Sequence, residues 1–97
     1  MKLLWTWDGY FFGYKDRDGL WDRNGKHVGR FVGNEIYGSS GKYLGEIIQD
    51  RLVRCRGKMG YVQPPFLPYT NRTGMSYGDY SGYVMYDGYE DFPRNIK

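Results

Sequence analysis

The chain has 97 residues, enough for one domain, with a formal net charge of +3 and a single cysteine, Cys55. One cysteine excludes an intrachain disulfide framework, and so small a charge is far from the dense basic footprint of a dedicated nucleic-acid binder. Aromatic residues make up 20% of the chain, fifteen residues are Gly and none is Ala, which favours short twisted strands joined by glycine turns over helix.

Residues 1–7 are positive and then briefly apolar, and Asp8-Gly9 interrupts them before a signal-peptide core could develop. No apolar run approaches the ~20 residues of a membrane helix, so the expected compartment is the cytoplasm. From here to about residue 60 the chain restates one phrase. Leu4, Leu20, Ile36 and Leu52 stand sixteen residues apart, followed by Trp5, Trp21, Tyr37 and Val53. Five residues after each anchor comes a glycine: Gly9, Gly25, Gly41 and Gly57. Three further on stand Phe12, Val28 and Leu44, followed at once by Gly13, Gly29 and Gly45. The fourth copy fades after Gly57-Lys58.

Asp8-Gly9 and Asn24-Gly25 are preferred two-residue hairpin turns, with Ser40-Gly41 and Arg56-Gly57 in the same place. Reverse turns fall near residues 16–19, 32–35 and 49–51, so strands recur about every eight residues. A two-residue turn at Asn24-Gly25 sets Asp22 opposite His27, Trp21 opposite Val28 and Leu20 opposite Gly29. Alternation then places Leu20, Gly29 and Phe31 on one side, with Trp21, Val28 and Arg30 on the other. In the next unit Ile36, Gly45 and Ile47 oppose Tyr37, Leu44 and Glu46. Both sides of such a sheet are apolar, and one tail covers only one of them. The pattern therefore predicts a homo-oligomer, a dimer or tetramer.

Within this stretch four kinds of chemistry come into question. His27, the only histidine, faces Asp22 and could form an acid–base pair; no nucleophile stands nearby, and a half-exposed cross-strand pair is the expected role. Asp16-Arg17-Asp18-Gly19 resembles a fragment of a calcium loop but lacks the remaining ligand spacing. Cys55 lies between Arg54 and Arg56, and strand alternation turns it away from both, as a small buried hydrophobe. One Cys and one His cannot make a zinc site. Two binding surfaces remain. Trp5, Trp7, Trp21 and Tyr37 offer faces to a sugar ring or small aromatic ligand, Trp5, Trp7, Tyr10 and Phe12 sharing one hairpin face. Arg51, Arg54, Arg56 and Lys58 form an acid-free basic stretch for phosphate, a nucleic-acid backbone or an acidic protein.

After residue 60 the character changes. Pro64, Pro65 and Pro68 argue for an extended connector. Tyr77, Tyr80, Tyr83, Tyr86, Tyr89 and Phe92 then recur every third residue, a period of neither strand nor α-helix, suited to an irregular ribbon that lays rings along a surface.

The phrase running from Leu20-Trp21-Asp22-Arg23-Asn24-Gly25-Lys26-His27-Val28-Gly29, echoed from Ile36-Tyr37 to Gly45, resembles the four-fold beta flower family of small bacterial proteins. The likeness covers residues 4–60. It implies a petal-like β arrangement with four-fold character, in a family without an assigned function, and carries over no catalytic residue.

The expected fold is all-β, a single domain over 1–97. It comprises an antiparallel meander of short hairpins built from about four sixteen-residue repeats over 4–60, and a Pro/Tyr/Gly-rich extension over 61–97 packing on it. The expected function is a non-enzymatic interaction or ligand-binding module without cofactor, self-assembling through its apolar sheet faces. The alternative is an anion or nucleic-acid-backbone binder working through residues 51–58.

Overall fold

The alternation of apolar and small residues over the first 55 positions produces seven short strands, seen in a computed structural model that describes residues 1–96. Lys97, the last residue of the expected extension, lies outside the described residues. The strands are β1 (Lys2–Thr6), β2 (Phe11–Asp16), β3 (Gly19–Asp22), β4 (His27–Val32), β5 (Glu35–Tyr37), β6 (Tyr43–Ile48) and β7 (Arg51–Cys55). A single turn of 3₁₀ helix, Arg56–Lys58, follows, and β8 (Tyr89–Asp91) comes after a long tail.

Each strand pairs antiparallel with the next. The sheet also closes on itself: β1 pairs with β7 in parallel, Trp5 opposite Arg51 and Thr6 opposite Leu52. Parallel closure follows from the count, because the first and seventh strands of an up-and-down series run the same way. The result is a seven-stranded barrel with β8 added to β7. Closure hides the edges an open sheet would expose and turns one face of the sheet inward. Leu4, Leu20, Ile36 and Leu52 have no exposed surface and, with Phe12, Val28, Phe31 and Phe92, make the core.

Three loops at one end of the barrel share a geometry. Gly9, Gly25 and Gly41 donate their N–H to the carbonyls of Thr6, Asp22 and Gly38, while those residues' N–H groups bond to the carbonyls of Tyr10, Lys26 and Lys42. The glycines have φ of 98°, 86° and 90°. These are three-residue loops in which the last residue takes a left-handed conformation, one residue longer than the expected turns.

A bulge follows in each. Leu4 faces Gly13 but Trp5 faces Phe11; Leu20 faces Gly29 but Trp21 faces His27; Ile36 faces Gly45 but Tyr37 faces Tyr43. The extra residues are Phe12, Val28 and Leu44. A one-residue insertion reverses the side on which a strand residue points. This corrects the expected faces of three residues: Phe12 and Val28 belong to the core with Leu20, and Leu44 packs against it, while Trp21 stays outside that core, on the side expected. It also separates His27 from Asp22, whose carboxylate instead accepts the N–H groups of Asn24 (2.9 Å) and Lys26 (3.0 Å) within its own loop.

Residues 59–88 contain no strand or helix and run around the barrel end that carries these loops. Gln63, Arg72 and Tyr80 donate their N–H to the carbonyls of Gly41, Gly25 and Gly9 at 2.9, 2.7 and 2.8 Å. Three residues on in each case, Phe66, Met75 and Tyr83 donate to Ser39, Arg23 and Trp7 at 3.0, 2.8 and 3.1 Å. The tail thus visits the three loops in reverse chain order before β8 settles beside β7. The outward rings of Trp5, Trp7 and Trp21 are therefore covered within one chain. No described helix is long and apolar enough to cross a membrane.

Candidate functional site

The outward residues of the sheet meet the inner edge of the tail, and Trp5, Trp7, Trp21 and Arg51 lie at this seam. Trp5, Trp7, Trp21 and Tyr37 are all buried. Trp5 donates its indole N–H to the Gly78 carbonyl (2.9 Å) and stacks on Tyr80 with centroids 4.0 Å apart. Trp7 donates to the Val84 carbonyl (3.1 Å) and meets Tyr83 and Tyr86. Trp21 lies under the Arg72 guanidinium, 3.7 Å from its ring centre, and stacks with Tyr69 and His27. Tyr37 donates its hydroxyl to Glu35 (2.8 Å), and burial, reinforced by that carboxylate, pushes its pKa up to about 12. The tail has filled the aromatic faces that the sequence suggested were open to a ligand.

The basic stretch is likewise divided. Arg51 is buried beneath the tail, donating to the carbonyls of Thr6, Trp7 and Ser81 with Tyr83 4.3 Å away. Arg54 donates to the Leu44 carbonyl (2.8 Å). Arg56 has left the strand for the 3₁₀ turn and approaches Glu90 at 3.8 Å. Lys58 sits between Glu46 (2.9 Å) and Glu35 (3.0 Å), which hold its pKa above the usual lysine value. Each of these four cations thus has a contact of its own within the chain.

His27 is buried, and its Nδ1 accepts the Tyr69 N–H at 3.0 Å. A nitrogen that accepts carries no proton, so the ring is neutral with hydrogen on Nε2, which has no protein partner. Burial depresses its pKa below 6.5, aided by the Arg72 charge and opposed by that of Asp18. Histidine here anchors the tail. An imidazole whose folded pKa is lowered leaves its stability contribution intact above pH 6.5 and loses it as pH falls through that value, because the unfolded chain takes up the proton first. Melting temperature is thus expected to drop on acidification below pH 6.5, and His27→Asn, whose side-chain oxygen can still accept from Tyr69, to flatten that drop. Asp16, of the supposed calcium fragment, is paired with Arg72 (2.8 Å). Cys55 carries a half-buried free thiol, and its backbone N–H donates to the Tyr43 hydroxyl (3.0 Å).

What the molecule presents outward is the tail itself. Tyr61, Tyr69, Tyr77, Tyr80, Tyr83 and Tyr86 are 48–66% exposed, interspersed with Val62, Leu67 and Val84, the last two at about 90%. The three-residue period has a cause: one edge of a ring leans on the barrel, as Tyr77 does on Phe11, while the other faces water. The run ends there, because Tyr89 joins β8 and Phe92 enters the core. An open hollow of about 260 Å³ lies between Trp7, Ile48, Gln49, Tyr83, Val84 and Tyr86. A narrower one of about 140 Å³ lies between Asp18, His27, Arg30, Phe66, Leu67 and Tyr69.

Sequence reasoning passed over Arg72, Tyr69 and Asp91 as anchors. A signal for the first existed: Arg72-Thr73-Gly74-Met75 and Tyr80-Ser81-Gly82-Tyr83 share a phrase at a spacing of eight, half the hairpin period, and Gly74 and Gly82 press against the carbonyls of Arg23 and Asp8. The arrangement defines a class, a closed seven-stranded barrel girdled by its own aromatic tail. No family model, curated protein or solved structure matches the chain.

Proposed function

We propose that the chain is a non-enzymatic protein-interaction module whose recognition surface is the tyrosine-rich tail, held rigid by the barrel beneath it. The observation that carries this is the pairing of half-exposed rings with a backbone bonded to the loops at intervals. Tyr80 is 49% exposed, yet its N–H is bonded to Gly9 and its ring stacked on Trp5. Tyrosine supplies wide amphipathic contact area at small conformational cost, and Ser, Gly and Asn adapt the spaces between, the composition that antibody loops use. A surface ordered before binding loses little entropy on contact. The tail's outward apolar residues, Leu67 and Val84, are about 90% exposed.

The same reading takes the chain as four copies of one hairpin unit, in keeping with the four-fold beta flower resemblance. Support comes from the registers. Trp5 faces Phe11, Trp21 faces His27 and Tyr37 faces Tyr43, and the next residue of each partner strand turns inward. Val53 faces Asp91, and the next residue, Phe92, is in the core. The fourth hairpin is split, its second strand arriving only after the tail has circled the barrel. Partners include a second copy of the chain, and a free thiol with no disulfide suits the cytoplasm.

The test is site-specific photo-crosslinking in cells that produce the protein, with the reactive residue at Leu67 or Val84 on the tail, or at Arg17 or Asn34 on the opposite barrel end. Adducts are expected from the tail positions alone, those at twice the chain's mass identifying self-association. Equal labelling from both ends, or none from the tail, refutes the reading.

A further inference from the structure

We propose that the place filled by β8 and Phe92 is an exchange site between copies, so that two chains can each complete the other's fourth hairpin. This rests on reading that hairpin as split. The segment is small and peripheral. β8 pairs with β7 alone, Val53 facing Asp91, Arg54 facing Glu90 and Cys55 facing Tyr89. Its departure therefore breaks one strand pairing and leaves the seven-stranded closure of β1 on β7 in place.

Its anchors are specific to this segment. Phe92 meets Phe12 edge-on at 5.2 Å and lies where a Cβ on Gly45 would be, 2.5 Å from its ring. Asp91 accepts the N–H groups of Trp7 (2.9 Å) and Asp8 (3.2 Å), bridging across to the first hairpin. Arg94 pairs with Asp8 at 2.8 Å. A slot this particular selects the same segment from a second copy over an unrelated strand.

The hinge is present too. The last tail bond to a loop is from the Trp7 indole to the Val84 carbonyl, leaving residues 85–88 before β8. Val84 is 90% exposed, and Gly88 has φ 81° with no atom within 4 Å of a Cβ placed there. Four extended residues span roughly 14 Å, enough to carry the strand off its own barrel. The exchanged dimer remakes every contact of the closed chain, so its formation depends on concentration and not on new complementarity.

Cys55 supplies the test, since Tyr89 lies directly opposite it. Directly opposed residues on antiparallel strands lie within the Cα separation a disulfide spans. The full chain carrying Tyr89→Cys is equilibrated over a concentration series, oxidised, and its disulfide peptides identified by mass spectrometry. A disulfide joining Cys55 of one chain to the introduced thiol of another is expected, rising with concentration and giving way to a within-chain link on dilution. Mixing isotopically heavy and light unmodified chains should yield dimers of intermediate mass in native mass spectrometry. A link confined to single chains at every concentration, with no mixed dimer, overturns exchange while leaving the split hairpin intact. Failure of Cys55 to pair with the introduced thiol, within or between chains, overturns both.

Discussion

Phe92→Ala is expected to lower the unfolding free energy by about 3–5 kcal/mol, the cost of emptying a buried phenylalanine site. The residue is 2% exposed and packs on the core although the whole tail separates it from the seven barrel strands. Phe12, Val28 and Leu44 turn inward from three hairpins, and Phe92 does so just after β8. Losing it opens a cavity beside Gly45, which has no side chain to collapse into the space. A domain of this size has a total stability of order 5–15 kcal/mol, so the variant forfeits a large share. Urea denaturation followed by tryptophan fluorescence checks this. A loss below about 0.5 kcal/mol, the size of an ordinary surface change, would mean that Phe92 does not plug the barrel in solution.

Gly25→Ala should cost about 3 kcal/mol, from two sources. At φ 86° an L side chain is strained by about 1–2 kcal/mol. The new methyl group also collides with the Arg72 carbonyl, which rides directly over the loop. The tail must lift there, releasing the Arg72–Gly25 and Met75–Arg23 hydrogen bonds, each worth about 0.5–1.5 kcal/mol. Gly33→Ala provides the comparison. Its φ is 61° but nothing lies within 4 Å, so only strain of about 1 kcal/mol remains, partly offset by the stiffer unfolded chain. Hydrogen exchange should show the tail opening between residues 70 and 76 in the first variant and not in the second. Equal exchange in both would mean that the tail does not bear on Gly25.

These two sites show the division of labour in the molecule. The barrel is held by its inward column and by Phe92; the tail is held by glycines that leave room for its carbonyls. The Asp8–Asp91 corner joins the two systems. The Thr6 hydroxyl bonded to Asp8, with Arg94, holds its carboxyl down at about 2, whereas burial raises Asp91. The corner therefore keeps Asp8 charged through ordinary acidification, and His27 is left as the seam's contact sensitive near neutrality.

Some of this was plain in the residues. Leu4, Leu20, Ile36 and Leu52 stand out by period alone, because each repeats the same inward place and is fully buried there. The loop glycines are legible for a local reason, a backbone angle that other residues resist. The side on which Phe12, Val28 and Leu44 point was not legible, since one bulged residue inverts alternation and no residue type announces it. Nor could Trp5, Trp7, Trp21 and Tyr37, or Arg51, Arg54, Arg56 and Lys58, be told apart from free surface. Their surroundings depend on a tail that is remote in the chain, as Trp7 and Val84 are, bonded across 77 positions.

Local rules therefore determined the all-β class, the spacing of the turns and the inner column, each readable within a few neighbouring residues. Closure of β1 onto β7, the path of the tail over three loops and the return of Phe92 to the core were decided only by tertiary structure. They join residues distant in sequence, and such contacts form because buried area and satisfied hydrogen bonds outweigh the entropy of closing long loops. That balance is a property of the whole chain, written in no single segment of it.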